Sequence, residues 1–409
     1  FGATTPIRFS CWPTAVDHTI QLSGCSGADR ASAFSATINP ATSQLIASFQ
    51  EPAAFGSRYL DLTLTPVFER DEPPASDNVT LHWNHNAPAS GSYTDVWAQD
   101  GVVFAPHFGG TVELLDAASG ELLGQLNAGS TVLDVKARDG ILYAATTSLG
   151  VVIYDVSDPT APTHLGSYAR WSQLSGENFF NVHNIFIGPT GDTIYAINDS
   201  HPRTDLRLID VSDPSLPKEA GRFVIEHARS TLEGAHDVNV IEYEGHLIAF
   251  LDALSSGLYI LDVTDPADIK VESRTAWLGT FSHSGWPYEV DGRLIYVHAD
   301  EGHDESLILF DVTSFVPRRL SEFQTRPGTS AHNIEVVGTT AFVSYYIDGL
   351  RVLNLSDPAA PREIAHFDTV STENEREILQ GAWGVHVDAG RVYISDRETG
   401  IYALEVTLP

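Results

Sequence analysis

Asp155-Val156-Ser157-Asp158-Pro159, Asp210-Val211-Ser212-Asp213-Pro214 and Asp262-Val263-Thr264-Asp265-Pro266 are one phrase written three times. Asp311-Val312-Thr313-Ser314 and Asn354-Leu355-Ser356-Asp357-Pro358 continue it, and a weaker copy begins at Asp116. The copies start roughly 50 residues apart, a period at which one supersecondary unit repeats and stacks on its neighbours to bury a shared core. Around each phrase the chain reads alike. Asn184-Ile185-Phe186-Ile187 alternates, Pro189-Thr190-Gly191 turns, and Ile194-Tyr195-Ala196-Ile197 is small and apolar. Leu206 to Asp210 follows, then the Asp-Pro turn, then an edge segment from Glu219 to Phe223. Period-two alternation broken by Gly, Pro and Asp gives short antiparallel strands. Four such strands per repeat make a propeller blade.

Inner strands open near Tyr93, Val132, Val182, Ala235, Ser282, Ala331 and Ala382, which makes seven units. The seventh, Trp383 to Leu408, holds only three strands, and Val79 to Trp83 is the expected fourth. Pairing the two ends of the ring removes an open sheet edge. The fold class read here is all-β: a seven-bladed β-propeller with four-stranded blades, closed by an N-terminal strand. The propeller takes residues 76–409, and residues 1–75 form a small β appendage carrying both cysteines. Asp71 to Asp77, with two prolines, reads as a linker.

The chain carries 54 acidic residues against 23 basic ones, for a formal charge of −31. Such a surface repels nucleic acid and anionic lipid, so neither is expected as a partner. Most of the charge is a solvated acidic face. No apolar run approaches the roughly 20 residues that span a bilayer. The chain starts at Phe1 and contains no methionine, which is read as a mature chain freed of an export signal. Cys11 and Cys25 lie close together in a Gly/Ser/Thr-rich stretch and are expected to form a disulfide in an oxidising compartment. The expected location is secreted, periplasmic or cell-surface.

Leu149 to Pro162, Leu206 to Pro217 and Gly257 to Pro266 resemble LVIVD repeats, the motif of a family of bacterial and archaeal propellers. Ser282-His283-Ser284-Gly285-Trp286, Ala331-His332-Asn333-Ile334, Asp348 to Val352, Phe367-Asp368-Thr369 and Gly381 to Val385 resemble the choice-of-anchor B group of secreted LVIVD proteins. The resemblance implies the propeller fold and an exported, surface-linked life. It implies no reaction, because that family is named for its architecture.

Chemistry is expected where the long loops are. Each inner strand starts on one face of the disc, called the top, and each second strand ends there. The Asp-Pro turns fall on the opposite face, where proline fixes φ and Asp closes the turn. Long connections such as Ala169 to Asn181 and Thr369 to Gln380 are on top, and long loops in a compact repeat protein carry function.

Aligning inner-strand starts places His183, His236 and His332 at one position in three blades. His283 joins them, since it precedes Gly292 by the spacing at which His236 precedes Gly245. Radial symmetry aims all four at one tunnel mouth. Neutral imidazoles with carboxylates nearby suit a divalent transition metal, whether Zn, Cu, Fe, Ni or Mn. Asp300, Glu301, Asp252, His107 and His298 end second strands on the same face and are candidate further ligands or orienting groups. Trp171, Phe180, Trp286 and Trp383 are candidate walls of a pocket for an organic ligand. Each histidine also has a plain structural reading, a hydrogen bond to the adjacent blade. His303, Asp304 and Glu305 read as a solvated acidic loop. Nucleophile-elbow, phosphate-loop, dinucleotide and His-Glu-x-x-His signatures are missing.

Three functions follow. The first is a secreted metal-binding propeller acting as a metalloenzyme on a small-molecule or polymeric extracellular substrate. The second is a non-catalytic adhesion propeller for a protein or glycan. The third is a structural surface module stabilised by Ca. Adhesion needs no imidazole cluster and calcium prefers oxygen, so the histidines favour the first.

Overall fold

Seven antiparallel sheets follow one another from residue 76 to residue 408, and together they form a seven-bladed β-propeller. The structure, a computed structural model, describes residues 76–86, 92–171, 178–199, 205–225, 228, 233–275, 281–302, 305–326, 328–369 and 380–408. It also describes the backbone of five strands between Ser10 and Leu62. The described residues contain no α-helix. The chain divides into two units, Phe1–Arg70 and Asp71–Pro409. Within the first, Ser10–Val16 pairs with Thr19–Ser26, and Ala33–Asn39, Gln44–Gln50 and Tyr59–Leu62 form a three-stranded sheet. The thiols of Cys11 and Cys25, and so the expected disulfide, lie outside the described residues.

Blade three is typical. Val182–Ile187 pairs with Thr193–Asn198, which pairs with Asp205–Asp210, which pairs with Lys218–Val224. Second strands such as Thr193–Asn198 are buried almost end to end, because each blade lies between two others. The core is therefore inter-blade: Tyr195, Ile197, Leu206 and Leu208 of blade three pack on Val238, Val240, Ala249 and Leu251 of blade four. Each buried Val, Leu or Ile among them contributes about 1.5–3 kcal/mol by leaving water. Asp139-Gly140, Glu244-Gly245 and Asp291-Gly292 each join two strands with both φ angles positive. That is the type I′ hairpin, whose twist matches that of the strands.

The repeated phrase has a packing role. Asp155 Oδ1 accepts from the N–H and hydroxyl of Ser157, and Asp158 Oδ1 accepts from those of Thr160. The paired turns present a proline carbonyl to the neighbouring blade. Outer strands make room by a one-residue bulge beside a small residue, seen at Gly124, Gly166, Gly221, Ser273, Ser321 and Ala365. A Cβ on Gly221 would lie 2.0 Å from the Pro266 oxygen, and one on Gly124 would lie 2.2 Å from the Pro159 oxygen. At Ser321 the hydroxyl instead donates to the Pro358 oxygen at 2.6 Å. Gly221→Val is expected to lower stability by about 1–3 kcal/mol through overpacking. Equal urea midpoints for variant and parent would rule out this contact as a constraint.

The ring closes as the sequence suggests: Val79–His85 completes blade seven by pairing with Gly400–Val406. Ser76–Asp77 adds an unexpected fifth strand to blade six against Arg362–Phe367. At the seam the size pattern reverses. Trp83 takes the small-residue position, Gly120 of the blade-one turn accommodates its ring, and its Nε1 donates to the Ala117 oxygen at 3.1 Å.

His85 fastens the same seam. Its Nδ1 donates to the Gly120 oxygen at 3.0 Å, and its Nε2 lies 3.3 Å from Glu113 Oε2, which also receives the Tyr93 hydroxyl and faces His107. The Glu113 carboxylate raises the His85 pKa above 6.5, against the opposing effect of burial. Glu113 itself falls to about 2: burial would raise it, but hydrogen bonds from His107 and His85 outweigh that. A raised histidine contributes stability below its unfolded pKa and loses it as pH rises through the folded one. A depressed glutamate contributes above its unfolded value of 4.5 and loses it on acidification. The latch is thus strongest between the two unfolded values, 4.5 and 6.5. The melting-temperature deficit of His85→Gln is expected to be largest in that window and to shrink toward alkaline pH. A deficit that grows with pH would contradict an imidazolium at His85.

Candidate metal centre

Residues at or just before the starts of successive inner strands converge at the mouth of the central tunnel. His183 and His236 have ring centroids 4.2 Å apart, His236 and His283 4.3 Å, and His283 and His332 4.6 Å. Trp383 extends the arc, 4.3 Å from His332. The blade period sets this: one imidazole per blade, four blades in a row, each ring against the next.

Backbone contacts fix the tautomers. His236 Nδ1 lies 3.2 Å from the His283 oxygen, and His332 Nδ1 lies 2.7 Å from the Trp383 oxygen. A carbonyl only accepts, so Nδ1 carries the proton in both rings and Nε2 keeps a lone pair. This arrangement is typical of metal-ligating histidine, which donates its other N–H to a carbonyl or carboxylate. The inter-blade hydrogen bond and the ligand reading are therefore compatible in one ring. His283 Nδ1 is buried without a hydrogen-bond partner. Burial, reinforced by His283, holds His183 down to about 4, and burial pushes His236 and His332 well below the usual imidazole range. These rings are neutral at pH 7, the state that binds a metal.

A carboxylate joins from the end of the second strand of blade five. Glu301 Oε2 lies 3.5 Å from His283 Nε2, and the Tyr346 hydroxyl donates to Oε1. His283, Glu301 and His332 each offer a ligand atom within 4.8 Å of the others. Tyr346, 5.1 Å from His332 between ring centroids, was not legible as a site residue. Its only signal is its place just past the end of a second strand, the place Glu301 takes in blade five.

The other candidates separate. Asp252 accepts from the Ser282 hydroxyl at 2.7 Å and from the Tyr296 hydroxyl, and His298 Nε2 lies 3.1 Å from Ser282 Oγ. This network is buried between blades four and five. Burial raises Asp252 to about 7 and lowers His298 to about 3. Asp300 accepts from the Phe281 N–H at 2.8 Å. His107 faces Glu113 at the blade-one seam, away from the imidazole arc. Trp171 and Phe180 stack on each other at 4.0 Å, with Trp171 70% exposed. Trp286 lines the tunnel deeper down, beside Trp97 and Glu335. His303 and Asp304 lie outside the described residues.

Below the imidazoles the tunnel is polar. Asp95, Asp134, Asn184, Asp237 and Asn333 follow the histidine position in their blades and line this layer. Lys136 Nζ reaches Asp95 at 2.9 Å and also contacts Asp134, whose other oxygen accepts from the Ile185 N–H at 2.7 Å. Burial opposes the ammonium, but the two carboxylates outweigh it and keep Lys136 charged. This lysine, one of only three in the chain, was a missed signal: a cation at the heart of an inner strand.

The LVIVD-repeat family model matches residues 129–170, 202–224 and 328–369. The chain is thus a seven-bladed propeller carrying LVIVD repeats. It is similar to the β-propeller domain of Cps50 (Swd1) from Myceliophteria thermophila, with 14% identity over 79% of this chain and 99% of that one, at a TM-score of 0.56. It is also similar to the computationally designed protein Ika8, with 8% identity over 80% of this chain and 98% of that one, at a TM-score of 0.52. These likenesses concern the fold alone. No curated protein matches the chain.

Proposed function

We propose that this protein is a metal-binding propeller whose centre is His283, Glu301 and His332, with His236 and His183 beside it. One observation carries the reading: two imidazoles and a carboxylate converge at one tunnel mouth, with the His332 tautomer fixed from behind by a backbone carbonyl. Two nitrogens and one oxygen suit a divalent transition metal such as zinc, and a set of three protein ligands leaves a coordination position open. When bound, the metal supplies Lewis acidity or an activated water. That supports a metalloenzyme acting on an extracellular substrate rather than a closed structural site. Calcium fits this centre less well, since Glu301 is the one carboxylate in the set. Export to an oxidising compartment, with Cys11 joined to Cys25, is part of the same proposal. Thiol titration of the denatured protein is expected to find no free thiol.

The test is metal analysis of purified protein, followed by chelation and reloading. One equivalent of zinc or a similar ion is expected, with an anomalous-scattering peak among the three side chains. A protein that holds no transition metal after reloading would end the proposal. Tyr346 orients Glu301, so Tyr346→Phe is expected to weaken metal affinity roughly 10–100-fold. Unchanged affinity would leave that hydroxyl a packing role only.

A further inference from the structure

In the polar layer below the imidazoles, three side chains are left over by the network around Lys136. Asn184, Asp237 and Asn333 stand one residue after His183, His236 and His332 and line one cavity of about 50 Å³ in the tunnel. That is room for an ion with a few waters. Asn184 Oδ1 is buried without a hydrogen-bond partner. Asp237 makes no ion pair among the described residues, and its one hydrogen bond is local, from the Val238 N–H to Oδ1 at 2.7 Å. Asn333 meets Ser344 through its backbone N–H and C=O, which leaves its side-chain amide to the cavity.

The repeat shows what these groups lack. In blade two, Asp134 Oδ2 accepts from the Ile185 N–H of the next blade at 2.7 Å. Val238 is the equivalent of Ile185 in blade four, but Asp237 takes its N–H, and Asn184 Oδ1 goes without. In blade five the same position is Ser284, whose hydroxyl donates to the His332 oxygen at 2.7 Å. Lys136 is already shared between Asp95 and Asp134, so no ammonium is left over for Asp237. Water can satisfy the two amides, but it leaves the charge of Asp237 uncompensated, and a buried carboxylate is costly unless it is paired or binds a metal. A cation meets both needs.

We propose that Asp237, Asn184 and Asn333 form a second cation site, for calcium, within the tunnel. A carboxylate, two amide oxygens and waters make an all-oxygen set, which suits a hard ion. Magnesium demands tight octahedral geometry and gives up its waters reluctantly, so it is the poorer fit. A bound ion ties blades three, four and six together at the axis. The site uses none of His283, Glu301 and His332, so it stands or falls apart from the transition-metal reading.

Trp97 and Trp286 line the same cavity, so terbium(III), a calcium-sized probe, is expected to luminesce there on tryptophan excitation. The titration uses the full chain at physiological salt, which screens the acidic surface. The wild type is expected to give a saturable signal that calcium displaces and equal magnesium does not. Asp237→Asn keeps the Val238 contact through its amide oxygen, so its melting in chelator is expected to match the parent. Its calcium affinity is expected to fall at least about tenfold, because ligand charge sets affinity at such sites. Asn184→Asp adds a charged ligand and is expected to bind calcium more tightly, a gain that misfolding cannot mimic. Glu301→Gln is expected to leave the terbium signal unchanged. A wild type with no saturable signal, or equal calcium affinity in wild type, Asp237→Asn and Asn184→Asp, would overturn the site. Loss of the signal in Glu301→Gln instead would assign the ion to the upper centre and overturn it too.

Discussion

Replacing His332 by alanine is expected to abolish tight metal binding while leaving the metal-free fold nearly as stable as the parent. His332 supplies one of three convergent ligand atoms, and two remaining ligands hold a divalent ion far less well than three. An affinity loss of at least about 100-fold is expected, larger than the usual effect of removing an orienting group. The side chain is buried, so a cavity cost accompanies the change. Its one backbone contact is insured: the Trp383 oxygen also accepts from the Ser344 hydroxyl at 2.5 Å, so it is not orphaned when the ring goes. The two roles therefore separate in one experiment. Metal at about 100 times its dissociation constant stabilises a protein by about 2.7 kcal/mol, a clear rise in melting temperature. That rise is expected in the wild type and absent in the variant, with similar melting in chelator. A variant that melts far lower in chelator yet gains the full metal increment would make His332 a structural residue.

Arg207→Ala is expected to be among the most destabilising single changes in the propeller. Arg207 is 1% exposed, on the third strand of blade three. Its Nε donates to Asp205 at 2.9 Å and its Nη1 to Glu219 at 2.5 Å, and its guanidinium lies 5.6 Å from the Phe179 ring centre. Asn198 donates to Asp205, and the Tyr168 hydroxyl to Glu219, completing a network around it. Truncation leaves Asp205 as a buried carboxylate without its cation, a loss of about 3–5 kcal/mol for a broken buried pair. Burial already pushes the Asp205 pKa up despite the arginine. Without Arg207 it rises further, and a buried acid with a raised pKa costs stability only once it must ionise. The deficit of the variant is therefore expected to widen from pH 4 to pH 8. Denaturant unfolding at the two values measures it, and a deficit independent of pH would mean that packing, not charge, dominates the site.

Legibility followed the period. His183, His236, His283 and His332 were found because equivalent positions in a closed ring must face one axis, so spacing along the chain became proximity in space. Glu301 was visible for the same reason, as the end of a second strand on the same face. His107, His298 and Asp252 obey that rule too, yet turn into seams and the core. Register says which face a strand end reaches, but the direction of a side chain depends on what packs against it. Lys136 and Tyr346 were not singled out along the chain and became visible as site residues only beside Asp134 and Glu301.

By itself the amino-acid order determined the number of blades, the closure of the ring by Val79–His85 and the shared height of four imidazoles, because each follows from strand period and turn chemistry. Tertiary structure alone decided which nitrogens keep a lone pair, which carboxylate meets them and which charges are spent on buried pairs. Those outcomes depend on contacts between blades, where a carbonyl or a carboxylate a few ångströms away sets the state of a ring, and no local pattern in the chain encodes that distance.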